Sequence, residues 1–301
     1  MRRIFLLSIA LAVFAVSAAS LQAGDKKLRV VIIDGQNNHN WRATTPVMKK
    51  ALLDSGRYTV DVSTNLKTGD KAPDGWVSVA FPPDLSKYDV IVSNYNGALW
   101  PKEFNDTFDQ QLKDGKIALV IVHAANNSFG GWKEYRQMVG MGWYGANTGD
   151  RLLLNDKGEK VIIPKGKGDG PGHRYSGKFS VTIRDDKHPV TMGMPLEWLH
   201  NNDELYDNMR GPIENVHLLA TAAAPKGKGT GVHEPMIWTV SYGKGRVFHT
   251  PMGHDANAML CVGFQTTLNR GTEWAATGNV TLPIPKDFPT DKNISLAPVK
   301  K

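Results

Sequence analysis

Three polar clusters stand out in this 301-residue chain, each directly after an apolar run. They are Asp34-Gly35-Gln36-Asn37-Asn38-His39-Asn40-Trp41, Asn94-Tyr95-Asn96-Gly97 and His123-Ala124-Ala125-Asn126-Asn127-Ser128-Phe129. Amides bond hydroxyl groups in pairs and aromatic faces stack on C–H surfaces. Asn37, His39, Trp41, Asn94, Asn126, Asn127 and Ser128 are therefore the types a sugar site needs. A single Asn in such a place serves a tight turn; three clusters after three strands read as one binding rim. Further on, Asn201-Asn202-Asp203-Glu204-Leu205-Tyr206 and His249-Thr250-Pro251-Met252-Gly253-His254-Asp255 add carboxylates, a phenol and imidazoles. His123 and His254 are the expected acid–base pair. Asp203 or Glu204 assists and Tyr206 joins the binding residues; adjacent residues of an extended chain face opposite ways, so one carboxylate is expected to point inward. Asp255 reads equally well as a helix N-cap.

Several chemistries are excluded. There is no Gly-x-Ser-x-Gly elbow for a hydrolase serine and no Gly-x-Gly-x-x-Gly for a dinucleotide. Ser128 in a Gly-rich loop reads as a turn former, and the single Cys261 as a small core residue without a disulfide partner. Metal-ligand spacings of the Cys-x-x-Cys or His-x-x-x-His kind are missing. A divalent metal held by scattered His39, His123 and His254, with Asp203 nearby, is the alternative to acid–base work, and no other cofactor is expected.

The elements that must carry these residues alternate. Leu28 to Asp34 reads as a strand buried on both faces, and Tyr58 to Val62, Asp89 to Ser93 and Ile117 to His123 as three more. Helices are expected from Thr44 or Thr45 to Gly56, over Phe104 to Leu112 and over Trp132 to Met138. Residues 140–175 read as a long Gly-rich loop. Strands at Lys178–Ile183, His217–Thr221, Met236–Ser241 and Arg246–Thr250 follow, the last two joined by a hairpin turn at Tyr242-Gly243-Lys244-Gly245, before one helix from Asn257 to Trp274. Such alternation implies an α/β, doubly wound, mostly parallel sheet with a loop-rich insertion and a β-hairpin. Ligands of such sheets bind beyond the carboxyl ends of the strands, where the three clusters fall.

Arg2 and Arg3, the apolar run Ile4 to Val16 and the small residues up to Ala23 read as an export signal cleaved after Ala23. That leaves residues 24–301 as a single domain in the periplasm or outside the cell, with no membrane contact after cleavage. Removing the two arginines takes the formal charge from +7 to +5. The lysines at 157–168 lie among Gly and Pro without interleaved aromatics, which argues for solvated loops and against nucleic acid. The expected partner is a small carbohydrate; self-association stays open.

Taken in order, the motifs resemble the ThuA-like, trehalose-utilisation family. They are His39-Asn40-Trp41, His123-Ala124-Ala125-Asn126 with Ser128-Phe129, His188-Pro189-Val190-Thr191 with Gly193-Met194-Pro195, Asp203-Glu204-Leu205-Tyr206, Glu234-Pro235-Met236 with Trp238, Tyr242 to Phe248, and Gly253-His254-Asp255. The resemblance, over roughly residues 29–276, implies a class I glutamine amidotransferase-like, flavodoxin-like fold. It also implies that the turn where amidotransferases keep a nucleophilic Cys is His123-Ala124-Ala125 here, so glutamine hydrolysis is not expected. The family is associated with sugar utilisation, some relatives with sugars oxidised to a keto form. The expectation is an exported protein acting on a glycoside or keto sugar as a hydrolase, lyase or isomerase, with a non-catalytic sugar-binding module or a metal-dependent hydrolase as alternatives.

Overall fold

The computed structural model describes residues 26–298; the expected export segment, residues 1–23, lies outside them. Strand β1 (Leu28–Asp34) is buried from Val30 onward, as a run of branched side chains requires when both faces are covered. Strands β3 (Val90–Ser93) and β4 (Ala118–Val122) are buried throughout, whereas β2 (Tyr58–Thr64) alternates as an edge strand. They run parallel in the order β2-β1-β3-β4, with β11 (Gly245–Thr250) parallel beside β4. Chain order reverses around β1, so the loops leaving β1 and β3 part and open a crevice at the carboxyl edge.

Helices α1 (Trp41–Asp54), α4 (Ala256–Met259) and α5 (Val262–Thr277) pack on one face, α2 (Lys102–Lys113) and α3 (Lys133–Val139) on the other. Gly271 allows α5 to touch β11: a Cβ there would lie 2.4 Å from the Phe248 ring. The sheet continues beyond β11 in antiparallel fashion. Strand β10 (Glu234–Tyr242) forms the expected hairpin with β11, and β9 (Val216–Ala223), β7 (Gly172–Ile183) and β8 (Glu197–Asp207) follow, making nine strands. The expected α/β sheet with flanking helices is present. Its flavodoxin-like parallel half is extended by an antiparallel half.

Four departures from the expected elements matter. Residues 140–175 are not one loop; they contain a separate ribbon of β5 (Arg151–Leu154) and β6 (Lys160–Ile163) and the start of β7. Helix α1 starts at Trp41, not Thr44. The last helix is two, because the chain end pairs at the break: Ala297 N–H donates to the Leu260 carbonyl and Val262 N–H to that of Ser295. Strand β8 was not foreseen at all. Four successive antiparallel pairings return β8 to the direction of β1, so its end, like the start of β7, arrives at the carboxyl edge. Bulges in β7 between Gly172 and Tyr175 and between Gly177 and Phe179 bend this hairpin, and its open end meets the loops that leave β4 and β11.

Candidate functional site

The groups that meet at this edge centre on one carboxylate. Glu204, on β8, has the His254 Nδ1 3.1 Å, the His123 Nε2 3.6 Å and the His39 Nε2 3.9 Å from its Oε2, and the His173 Nε2 3.5 Å from its Oε1. His39 comes from the loop after β1, His123 from the turn after β4, His254 from the loop after β11 and His173 from the start of β7. The rings of His39, His123 and His254 meet edge to face, with centroids 4.7 to 5.5 Å apart. Alternation in β8 places Tyr206 on the same face as Glu204, and its hydroxyl lies 3.0 Å from the His123 Nε2. Ser176, Gly177, Asn202 and Asp255 join Glu204 and His254 around a cleft of about 500 Å³, a size suited to a small ligand.

The backbone spends strain here. His123 has φ 48°, left-handed and unfavourable for a residue with a Cβ, at the sharp turn off β4. The His123 Nδ1 lies 2.7 Å from the Pro251 carbonyl and must donate to it, which leaves the Nε2 lone pair facing Glu204 and Tyr206. Burial pushes the His123 pKa down to about 3. Burial, with the neighbouring His254 and His173, takes His39 down to about 4. Both imidazoles are neutral at physiological pH. Burial, reinforced by the Glu204 and Asp203 charges, holds the Tyr206 phenol well above its ordinary value and so protonated.

Asp203 faces the other way and works beneath the site. It accepts hydrogen bonds from Gly253 N–H (2.7 Å), His254 N–H (3.0 Å) and Glu204 N–H (2.8 Å), and from the His200 Nε2 (2.8 Å). Burial raises the Asp203 carboxyl, but the bond and charge of His200 outweigh it and hold the pKa below the ordinary carboxylate value. The buried pair thereby ties the backbone of Glu204 to that of His254. Asp255 caps α4 by accepting from Ala258 N–H.

Other expected ligand residues turn out to build the rim. Trp41 is 2% exposed and packs edge-on against Trp76, so its faces are closed to a sugar. Asn94 donates to Thr44 and Thr45 and accepts from Asn37, whose own Oδ1 takes the His39 N–H at 2.8 Å. These two amides hold the His39 loop. Asn126 is buried against the His249 Nε2, and the Ser128 hydroxyl donates to the Tyr95 carbonyl. Asn127 stays half-buried with its Oδ1 unpartnered, close to Tyr206. Sequence reasoning missed Trp143, half-buried with its ring 4.5 Å from Tyr206 and 5.9 Å from His173. Its signal was an aromatic pair, Trp143-Tyr144, inside a glycine-rich run. Cys261 is buried beside His200 and does not reach the cleft.

The family model described as trehalose utilisation, ThuA, matches residues 29–275. A solved ThuA-like protein from Parabacteroides merdae is 40% identical over 90% of this chain and 98% of its own, with a TM-score of 0.81. A ThuA-like protein from Bacteroides uniformis, 18% identical over 84% of this chain and 93% of its own, shares the fold with a TM-score of 0.54. No curated protein matches.

Proposed function

Since the chain belongs to the ThuA family, we propose that it is an exported enzyme acting on a glycoside or an oxidised sugar at the Glu204–histidine cluster. One observation carries this reading: a single carboxylate faces four imidazoles within 3.9 Å at the wall of a sugar-sized cleft. Burying so many polar groups together opposes folding, and such clusters gather at functional sites.

The chemistry open to this cluster is polarisation of a sugar oxygen and movement of a proton. Neither the Ser128 hydroxyl, bonded to Tyr95, nor the buried Cys261 thiol is presented to the cleft, so a covalent intermediate through them is not part of the reading. A proton next to a carbonyl, or on a leaving glycosidic oxygen, can instead be moved by a side chain within hydrogen-bond reach. Trp143 offers a ring for a sugar face, and Asn127 and Asn202 offer amides to its hydroxyl groups.

The test is turnover, followed by NMR, of a panel of glucosides, disaccharides and their keto forms. Wild type is expected to convert at least one, and Glu204→Gln to lose 10²-fold or more in rate. Saturable binding without product across the panel would favour a binding module. Equal turnover by wild type, Glu204→Gln and His254→Ala would place the reaction elsewhere.

A further inference from the structure

The structure assigns a divalent transition-metal site to His39, His123, Glu204 and His254, and this deepens the functional reading above, on which it rests for its sugar substrate. Each residue offers one ligand atom, and all four atoms lie within 4.8 Å of one another. Ligands about 2.1 Å from a common ion sit roughly 3.0 Å apart at a right angle and 3.4 Å apart in a tetrahedron. The 3.1, 3.6 and 3.9 Å separations from the Glu204 Oε2 are therefore close to a coordination shell. Side-chain shifts of roughly an ångström or less would close it.

Lone pairs meet here with few protons to share between them. The His123 Nδ1 proton is committed to Pro251, so its Nε2 can only accept. Glu204 only accepts. The His254 Nδ1, 3.1 Å from Glu204, is buried without a well-directed hydrogen bond. A cation among these atoms satisfies them together, whereas hydrogen bonds alone leave the His254 Nδ1 without a partner. The surroundings are also those of a ligand set. A backbone carbonyl fixes the His123 tautomer, and Asp203 clamps the backbone N–H groups of Glu204 and His254 from below.

Three imidazole nitrogens and one carboxylate oxygen, without a thiolate, suit zinc, manganese, iron(II) or cobalt(II) more than calcium, magnesium or copper(I). Glu204 and His254 are the ligands that border the cleft, so the open coordination position faces it. There an oxygen of the sugar, a hydroxyl or a carbonyl, would be polarised. Coordination through the His123 Nε2 would release the Tyr206 hydroxyl, now 3.0 Å away, toward that oxygen. His123 and His254 would then be ligands, leaving Tyr206 and the half-exposed His173 to move protons.

The experiment uses the chain without its signal and without a histidine tag, stripped with chelator and titrated calorimetrically with zinc chloride and, separately, manganese chloride. One equivalent of at least one metal is expected to bind. His254→Ala and Glu204→Gln should weaken it by more than 100-fold, and Asp203→Asn by roughly 10- to 100-fold with all four ligands retained. Circular dichroism checks folding; His254, with a side chain 36% exposed, is the substitution the fold tolerates most easily. Cobalt(II) absorption in the wild type gives a second readout that does not depend on any variant. Failure of both metals to bind saturably, or binding unchanged in His254→Ala and Glu204→Gln, overturns the assignment. Sugar turnover in chelator-stripped protein would sink the metal and leave the sugar reading standing; bound metal without turnover of any sugar would do the reverse.

Discussion

Asp34 ends β1 at the root of the loop that carries His39, and its side chain is fully buried. Neither carboxylate oxygen has a well-directed hydrogen bond. Burial pushes its pKa from 3.8 to about 6, with Thr45, Thr64 and Arg42 offsetting only part of the effect. A carboxyl whose folded pKa lies above its unfolded value holds its proton longer in the folded state, so ionising it penalises the fold. The penalty is absent below pH 3.8, grows up to about pH 6 and is constant above. Two pKa units at 1.36 kcal/mol each make it roughly 3 kcal/mol. Asp34→Asn keeps the shape and removes the charge. It is expected to gain roughly 3 kcal/mol at pH 8, seen as a rise in Tm of roughly 6–12 °C, and under about 1 kcal/mol at pH 4. Urea melts at both pH values measure it. A gain of equal size at pH 4 and pH 8, or a loss at pH 8, would refute the argument.

Glu273 has the opposite sign. Burial raises it, but Thr281, Leu282 and Arg57 donors outweigh that and hold it below the ordinary value. Its contribution is present above the unfolded value of 4.5 and fades as pH falls through the folded one. Glu273→Gln should therefore lose roughly 1–3 kcal/mol at pH 7, with the gap to wild type narrowing in melts below pH 4.5; a gap unchanged down to pH 3 contradicts this. Gly271→Ala drives a methyl into Phe248 at 2.4 Å and should cost roughly 1–3 kcal/mol; an equally stable variant would show that α5 can lift off β11. Trp143→Ala should raise the Kd of a bound sugar about fivefold, for the roughly 1 kcal/mol of a lost ring contact. An unchanged Kd in glycan titration removes Trp143 from the site.

The parallel half of the fold was legible because β1, β3 and β4 are apolar runs whose burial needs no long-range information. The carboxyl-edge rule then puts His39 and His123 at one rim. Strand β8 escaped because several of its polar residues are turned inward: Glu204 points into the site, and His200 and Asp203 pair beneath it. Polar–apolar alternation reads such a strand as a loop. Of the adjacent carboxylates, only the register of β8 shows that Glu204 faces the imidazoles while Asp203 ties the loops. Trp41, Asn94 and Asn126 had the right chemistry and edge but serve packing and hydrogen bonds that no sequence spacing encodes. The break at Leu260 and Cys261 likewise depends on residues 295–297 returning from far along the chain.

In the proposed function a sugar sits against Trp143 with one of its oxygens at the Glu204–histidine cluster. A crystal structure of Glu204→Gln soaked with a sugar that the wild type converts tests this directly. A pyranose ring is expected in the cleft beside Asn202 and His254, with one oxygen within about 3 Å of a cluster side chain. A sugar bound elsewhere on the surface, with this cleft holding only solvent, would contradict it.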